Sequence, residues 1–358
     1  MAEEAVCVGV RVRPFNDRET MLGTTACIEM DWATTRLLPR DATMVSTEFT
    51  FDASFWSHDG FENDDGNFRP LTGSDYADQA HVFETFGERL LDSAWAGHHC
   101  CLLAHGENGA GKSYSMVGYG KNKGIIPRVC EEIFKRVGRN DNPELRYEVA
   151  ISASEIINDV VQDLLVLPET QPREGLEIRE IKSLGIYVDK LERRPVHSYE
   201  AIEQVMDEAT RNHRLPGHRF TCIELKQVTT KGGHEFTKVS MINLVDLKAG
   251  GYPMHQALHQ LVKKLASKSE GKKVVVPYSD SRLMRLLQNA LGGSSKTFMI
   301  CTLSPALRNY EMTLSTLRFA DRAKKIKNDG SLAPLLLAPA SSEVVLNILI
   351  SAQDGPES

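Results

Sequence analysis

A glycine-rich octapeptide, Gly106-Glu107-Asn108-Gly109-Ala110-Gly111-Lys112-Ser113, follows the apolar run Cys100-Cys101-Leu102-Leu103-Ala104. A strand that ends in such a turn and passes into a helix aims successive backbone N–H groups at one point, where they cradle a polyphosphate. The lysine reaches the outer phosphates, and the serine hydroxyl completes the shell of a bound Mg²⁺. The following helix adds its positive N-terminal end. A bound nucleotide, ATP or ADP, is therefore expected at residues 106–113. The plainer alternative is a glycine turn that binds nothing.

The remaining chain must supply a core around that turn, and its 358 residues suffice for one large domain or two ordinary ones. Apolar and charged fractions of 41% and 25% are those of a globular protein. Met1–Cys7 has no basic stretch leading into an apolar one, so a signal peptide is not expected. No uninterrupted apolar run is long enough to span a membrane. The seven cysteines are odd in number and lack C-x-x-C spacing, which reads as reduced structural thiols rather than a zinc site.

The net charge of −6 is unevenly spread. His255–Lys327 holds fourteen Lys and Arg against four acids, so the rest of the chain is strongly acidic. A basic C-terminal third suits an acidic partner, although solvated helix faces would give the same composition.

Hydrophobic periodicity organises the chain into alternating elements. Strands are expected at Val6–Val12, Glu48–Phe55, Cys100–Ala104, Leu145–Ile157, Arg219–Lys226, Glu235–Leu247 and Phe298–Leu303. Helices are expected at Gln79–Trp95, Val129–Val137, Val160–Leu165, Ser198–His213, Gln256–Ser267, Ser281–Leu291 and Thr313–Lys327. Ser57–Asp75 reads as a long surface loop, Arg173–Leu191 as a small β excursion, and Thr229–His234 as a polar hairpin turn. The fold class is α/β. Beyond Asn328 the composition turns Ala/Pro/Leu/Ser-rich, and Asp329–Ser358 is expected to be a loosely packed tail with at most a short element at Val344–Ile350.

Several ordered landmarks over residues 5–328 resemble the kinesin motor domain. They are Val10-Arg11-Val12-Arg13-Pro14, Phe51-Asp52-x-x-Phe55, Lys112-Ser113-Tyr114-Ser115-Met116 and Gly124-Ile125-Ile126-Pro127-Arg128. Glu155-Ile156-Ile157-Asn158 with Asp163-Leu164-Leu165, and Asn243-Leu244-Val245-Asp246-Leu247, continue the series. Pro277-Tyr278-Ser279-Asp280-Ser281, Leu286–Gly293 and Ser315–Ala320 complete it. The resemblance implies a P-loop NTPase with a central mixed sheet flanked by helices on both faces, spanning 1–328 and followed by the 329–358 tail. It implies adenine packing by Arg11, Arg13, Pro14 and Tyr114, with Asp246 on the Mg²⁺ side. It also implies a microtubule as the acidic partner, met by Lys263, Lys264, Lys268, Lys272, Lys273, Arg282 and Arg285. Lys268–Lys273 falls where some transport kinesins carry a lysine-rich loop. A cytoplasmic, cytoskeletal location follows from the resemblance.

Two segments depart from the family pattern. Switch I, N-x-x-S-S-R-S-H in the family, is reduced here to Asn212-His213-Arg214-Leu215-Pro216-Gly217-His218, without the serines that help place the attacking water and without the arginine that pairs with the switch II glutamate. His218 then reads as a loop histidine without a catalytic duty. Switch II, D-L-A-G-S-E in the family, is Asp246-Leu247-Lys248-Ala249-Gly250-Gly251, with the γ-phosphate-sensing glycine displaced to Gly250 or lost. Catalysis of phosphoryl transfer is mostly positioning and charge stabilisation, so these losses should slow hydrolysis and uncouple nucleotide from track.

Three readings stay open at this point. They are a microtubule motor, a non-motile nucleotide- and microtubule-binding pseudo-motor, and an incomplete splice product. An unrelated P-loop kinase of small molecules is disfavoured, because no lid or acceptor pattern accompanies the loop. No nucleic-acid partner is expected. Without a neck linker or heptad repeat after Lys327, the expected state is a monomer.

Overall fold

The computed structural model describes residues 3–41, 43–181, 185–213, 217–248, 252–333 and 336–338. Among these residues, eight strands form the spine of a ten-stranded sheet. In chain order they are β1 (Cys7–Val12), β2 (Ala53–Trp56), β3 (Cys100–Gly106), β4 (Leu145–Ile157), β5 (Val160–Asp163), β6 (His218–Lys231), β7 (His234–Asp246) and β8 (Lys296–Leu303). Across the sheet they run β5-β4-β6-β7-β3-β8-β1-β2. The half from β7 to β2 is parallel, and the half from β5 to β7 is antiparallel. The expected mixed sheet is therefore present.

Helices cover both faces because the strands are apolar on both. On one face lie the helical segment 79–96, α1 (Ile125–Gly138) and α2 (Tyr199–Asn212), with Leu90, Leu91, Val129, Ile133 and Ile202 buried against the sheet. On the other lie α3 (Tyr252–Ser269), α4 (Arg282–Leu287) and α5 (Tyr310–Ala323), which bury Leu261, Val262, Leu265, Leu283 and Leu317. The alternation of Val8, Val10 and Val12 sends those side chains into this second layer, while Phe55 and Phe86 meet in the first.

Four sequence expectations need correction. Val160–Leu165 is not helical. Asn158 and Asp159 adopt φ of +50° and +63°, a tight hairpin turn, and β5 folds back antiparallel on β4. The Glu48–Phe55 strand is split into Thr47–Thr50 and β2, which belong to different sheets. The break falls at Phe51-Asp52, where the Asp52 carboxylate accepts the Val8 N–H at 2.7 Å. Ser57–Asp75 is not all loop, since Phe61–Asp64 pairs with Asn67–Pro70 around Asp65-Gly66. Both turn residues have positive φ, the geometry that Asp-Gly favours. The chain after Asn328 also packs on the body at its start: Ala333 N–H donates to Gly97 O, and Leu336–Ala338 pairs with the beginning of β7. Lys327-Asn328 in turn pairs with Glu4-Ala5. Val344–Ile350 lies outside the described residues. No helix of the described residues is long and apolar enough to cross a membrane.

Candidate functional site

Strands β3 and β7 are parallel neighbours, so their C-terminal ends emerge side by side, Ala104 opposite Asp246. Ligands of α/β sheets bind at such strand ends. The glycine-rich turn continues directly from β3 and enters the helix Lys112–Met116. Gly106 sits at φ +149°, and a Cβ there would come within 2.4 Å of Thr302 O, so only glycine fits. Gly109 and Gly111 also have positive φ.

The cleft beside the turn has a volume of about 480 Å³ and is lined by Gly111, Lys112, Ser113, Tyr114, Arg219 and Asp246 among others. That size is typical of a small-molecule site. A tighter cavity of about 190 Å³ lies between the sheet and the hairpin Ile178–Val188, but no phosphate-binding turn opens into it. Chemistry, not enclosure, locates the candidate site at the turn.

Lys112 is buried, and its Nζ donates to the Gly106 and Glu107 carbonyls at 2.9 and 2.8 Å. Burial pushes this ammonium below the ordinary lysine value, against the pull of Asp246 and then Glu107. Burial likewise raises the Glu107 carboxyl. Ser113 Oγ donates to Asp246 Oδ2 at 3.1 Å. The expected pair of Mg²⁺-side groups is thus brought together.

Sequence reasoning missed the third member of this cluster. Arg219 Nη2 donates to the same Asp246 Oδ2 at 3.0 Å. The contact follows from strand register, because Arg219 and Asp246 are directly opposite in the antiparallel β6–β7 ladder. No local motif announces such a pair; it needs the register of two long strands. As arranged, the carboxylate that would hold the water shell of a Mg²⁺ is already neutralised by a guanidinium, so the residues present do not fit that ion in its usual place.

The base-side residues divide. Tyr114 lies beside the cleft, and the exposed ring of Tyr119, also missed in the sequence, sits 5.9 Å from it between centroids. Arg13 Nε donates to Gly109 O at 2.6 Å and braces the turn from outside, next to Pro14. Arg11 does not face the cleft, contrary to expectation. It is buried, donating to Ser57 Oγ, Gln79 Oε1, Ser115 Oγ and Ala77 O. Its four donated bonds make it a structural tie between β1 and the segment after β2.

After α2, His213 and Gly217 lie against β4, with residues 214–216 outside the described ones. His213 Nδ1 is 2.5 Å from Glu155 Oε2, and a Cβ on Gly217 would come within 2.7 Å of the Ile157 side chain. His218 is not in a loop; it opens β6, paired opposite Ile156, and is buried. Burial, then Lys248, lowers its pKa to about 4, so it is neutral near pH 7. Arg214, Ala249 and Gly250 lie outside the described residues. Only five residues separate Asp246 from the start of α3 at Tyr252.

On the basic third, Lys263, Lys264 and Lys268 project from the outer side of α3, and Lys272 and Lys273 follow it; all five are exposed. Arg282 and Arg285 differ. Arg282 Nη1 donates to the Glu174 and Leu176 carbonyls, and Arg285 bonds Glu180 and Gln288. Both arginines are part-exposed and bond to the neighbouring β excursion, unlike the five lysines.

The kinesin motor-domain model matches residues 11–251 and 254–326. Kinesin-like protein KIF28 of Rattus norvegicus is 40% identical over 96% of this chain, and KIF13A of Homo sapiens is 37% identical over 92%. This chain spans 36% and 20% of their respective lengths. A KIF14 dimer solved with AMP-PNP on a microtubule superposes at a TM-score of 0.82, with 31% identity, covering 97% of this chain and all of that one. With a family model matched along nearly the whole described body, and the glycine-rich turn, β7 and its aspartate in place, the chain belongs to the kinesin motor-domain family.

Proposed function

We propose that this chain is a nucleotide-binding, microtubule-docking kinesin domain whose hydrolysis and stepping are impaired. The cleft beside Gly106–Ser113 holds the phosphates of ATP or ADP, with Lys112 swinging from its two carbonyl partners to the outer phosphate and Tyr114 and Tyr119 beside the base. The exposed lysines 263, 264, 268, 272 and 273 meet an acidic track. The KIF14 neighbours are described in complex with microtubules, which supports that partner and a cytoskeletal location.

One observation carries the impaired half of the reading. Asp246 Oδ2 is occupied by both Ser113 and Arg219, at the place where a motor needs a carboxylate free to organise metal and water. The altered switch sequences point the same way, since the serines that place the attacking water are missing. Water positioning and charge stabilisation account for most of phosphoryl-transfer catalysis. Mg²⁺, where it enters, would have to displace the Arg219 contact to use Ser113 and Asp246 together.

The test is phosphate release with and without microtubules, alongside co-sedimentation with AMP-PNP. Binding to nucleotide and lattice without stimulated turnover supports the proposal. Microtubule-stimulated release well above background favours the working-motor reading instead.

A further inference from the structure

Arg219 is placed by the sheet, not by a loop. The β6–β7 ladder fixes it opposite Asp246, and every following pair, from Phe220 with Val245 to Lys231 with His234, holds the same register. The guanidinium lines the phosphate cleft together with Gly111, Lys112 and Ser113, and its one hydrogen bond among the described residues goes to Asp246. Asp246 is only 7% exposed, so its carboxylate is poorly screened by water, while Arg219 stays part-exposed.

These groups have opposite requirements for a divalent cation. Mg²⁺ demands near-octahedral oxygen ligation at about 2.0–2.1 Å and keeps several waters. Here the Ser113 hydroxyl, its natural protein ligand, donates its proton to Asp246, and the carboxylate beyond it carries a positive partner. Releasing that partner would leave a guanidinium beside a second cation in a confined cleft. A guanidinium needs no such rearrangement to meet a phosphate. It is planar, permanently charged, and presents five N–H donors in a fork that matches phosphate oxygens.

We infer that Arg219 takes over the charge-neutralising role at this site, so that the domain binds nucleoside di- and triphosphates without a divalent metal. Arg219 is then a direct phosphate ligand that a reading of the glycine-rich turn alone does not reveal. The inference rests on the nucleotide-binding reading of the cleft and adds the metal independence.

The experiment measures binding of a fluorescent N-methylanthraniloyl-ADP to the purified chain, once with millimolar Mg²⁺ and once with EDTA. The dissociation constant of the unaltered chain should change by no more than about threefold. Arg219→Ala should bind about tenfold or more weakly in EDTA and recover in Mg²⁺, because Asp246 is freed. Arg219→Lys, which keeps the charge but not the fork, should fall between the two. A loss of about tenfold or more on adding EDTA to the unaltered chain overturns the inference, whatever the variants do. Equal indifference to metal in Arg219→Ala and the unaltered chain assigns the neutralisation elsewhere and also overturns it. Absence of binding in both buffers defeats the nucleotide reading itself, a result distinct from binding that needs Mg²⁺.

Discussion

Arg13 forms a two-pronged ion pair with Glu19, with Nη1 and Nη2 at 2.6 and 2.8 Å from its carboxylate oxygens. The same guanidinium holds the phosphate-binding turn through Gly109 O. Glu19 also caps its own short helix with Asn16 in a reciprocal capping box. One salt bridge thus couples the first connection after β1 to the glycine-rich turn. Burial alone would raise the Glu19 carboxyl, but Arg13 and the Asn16 N–H outweigh it and hold the pKa below the ordinary value.

Arg13→Ala leaves Glu19, 3% exposed, without its cation. Removing one partner of a buried pair costs about 3 kcal/mol or more. Urea unfolding should show that loss at pH 7. Because the Glu19 pKa is lowered on folding, its contribution is present above the unfolded value near 4.5 and fades as pH falls through the lower folded value. The difference between the unaltered chain and Arg13→Ala should therefore narrow in acid.

Lys112→Ala should abolish detectable nucleotide binding while leaving the melting temperature nearly unchanged. Among the described residues the ammonium bonds to two turn carbonyls. Removing a buried ammonium relieves its desolvation as well. Fluorescent-nucleotide titration read beside a thermal melt separates the two effects. Unchanged affinity would remove Lys112 from the site.

Neutralising Lys263, Lys264, Lys272 and Lys273 together should weaken microtubule co-sedimentation by about tenfold or more at low salt, and the defect should shrink as salt screens the contact. Nucleotide affinity should not move. Arg282→Ala should behave differently, lowering stability through its lost bonds to Glu174 O and Leu176 O. If the quadruple variant sediments like the unaltered chain, the basic face is not the docking surface.

His218 supplies a pH test. Its folded pKa of about 4 lies below the ordinary 6.5, so the unfolded chain takes up a proton that the folded one refuses. The stability tied to this group is complete above pH 6.5 and is lost as pH falls toward 4. The full span is at most about 3 kcal/mol. His218→Gln should flatten that portion of the stability–pH curve, measured by denaturant unfolding at several pH values. An identical slope in both proteins would show that the ring is accessible to protons.

Elements with a strong local signal were legible in the sequence. The amphipathic helix expected at Ser198–His213 is α2 at Tyr199–Asn212, and the strand at Leu145–Ile157 has those bounds in the structure. Apolar spacing fixes such elements because burial follows it. Turn chemistry was under-read at Asn158-Asp159 and Asp65-Gly66. There, polar residues support positive φ and turn what looks like a loop or a helix into a hairpin.

The glycine-rich turn, its lysine and serine, and the family landmarks are local patterns, and the chain alone determined that a phosphate-binding turn sits between a strand and a helix. What that turn faces was decided only in three dimensions. Arg219 and Asp246 are 27 residues apart, and they meet because two antiparallel strands share one register. The same folding withdraws Arg11 from the cleft and bonds Arg282 and Arg285 to the β excursion. Side-chain identity is a local property of the chain, whereas the partner that neutralises a charge is set by which backbones the hydrogen-bond ladder brings together.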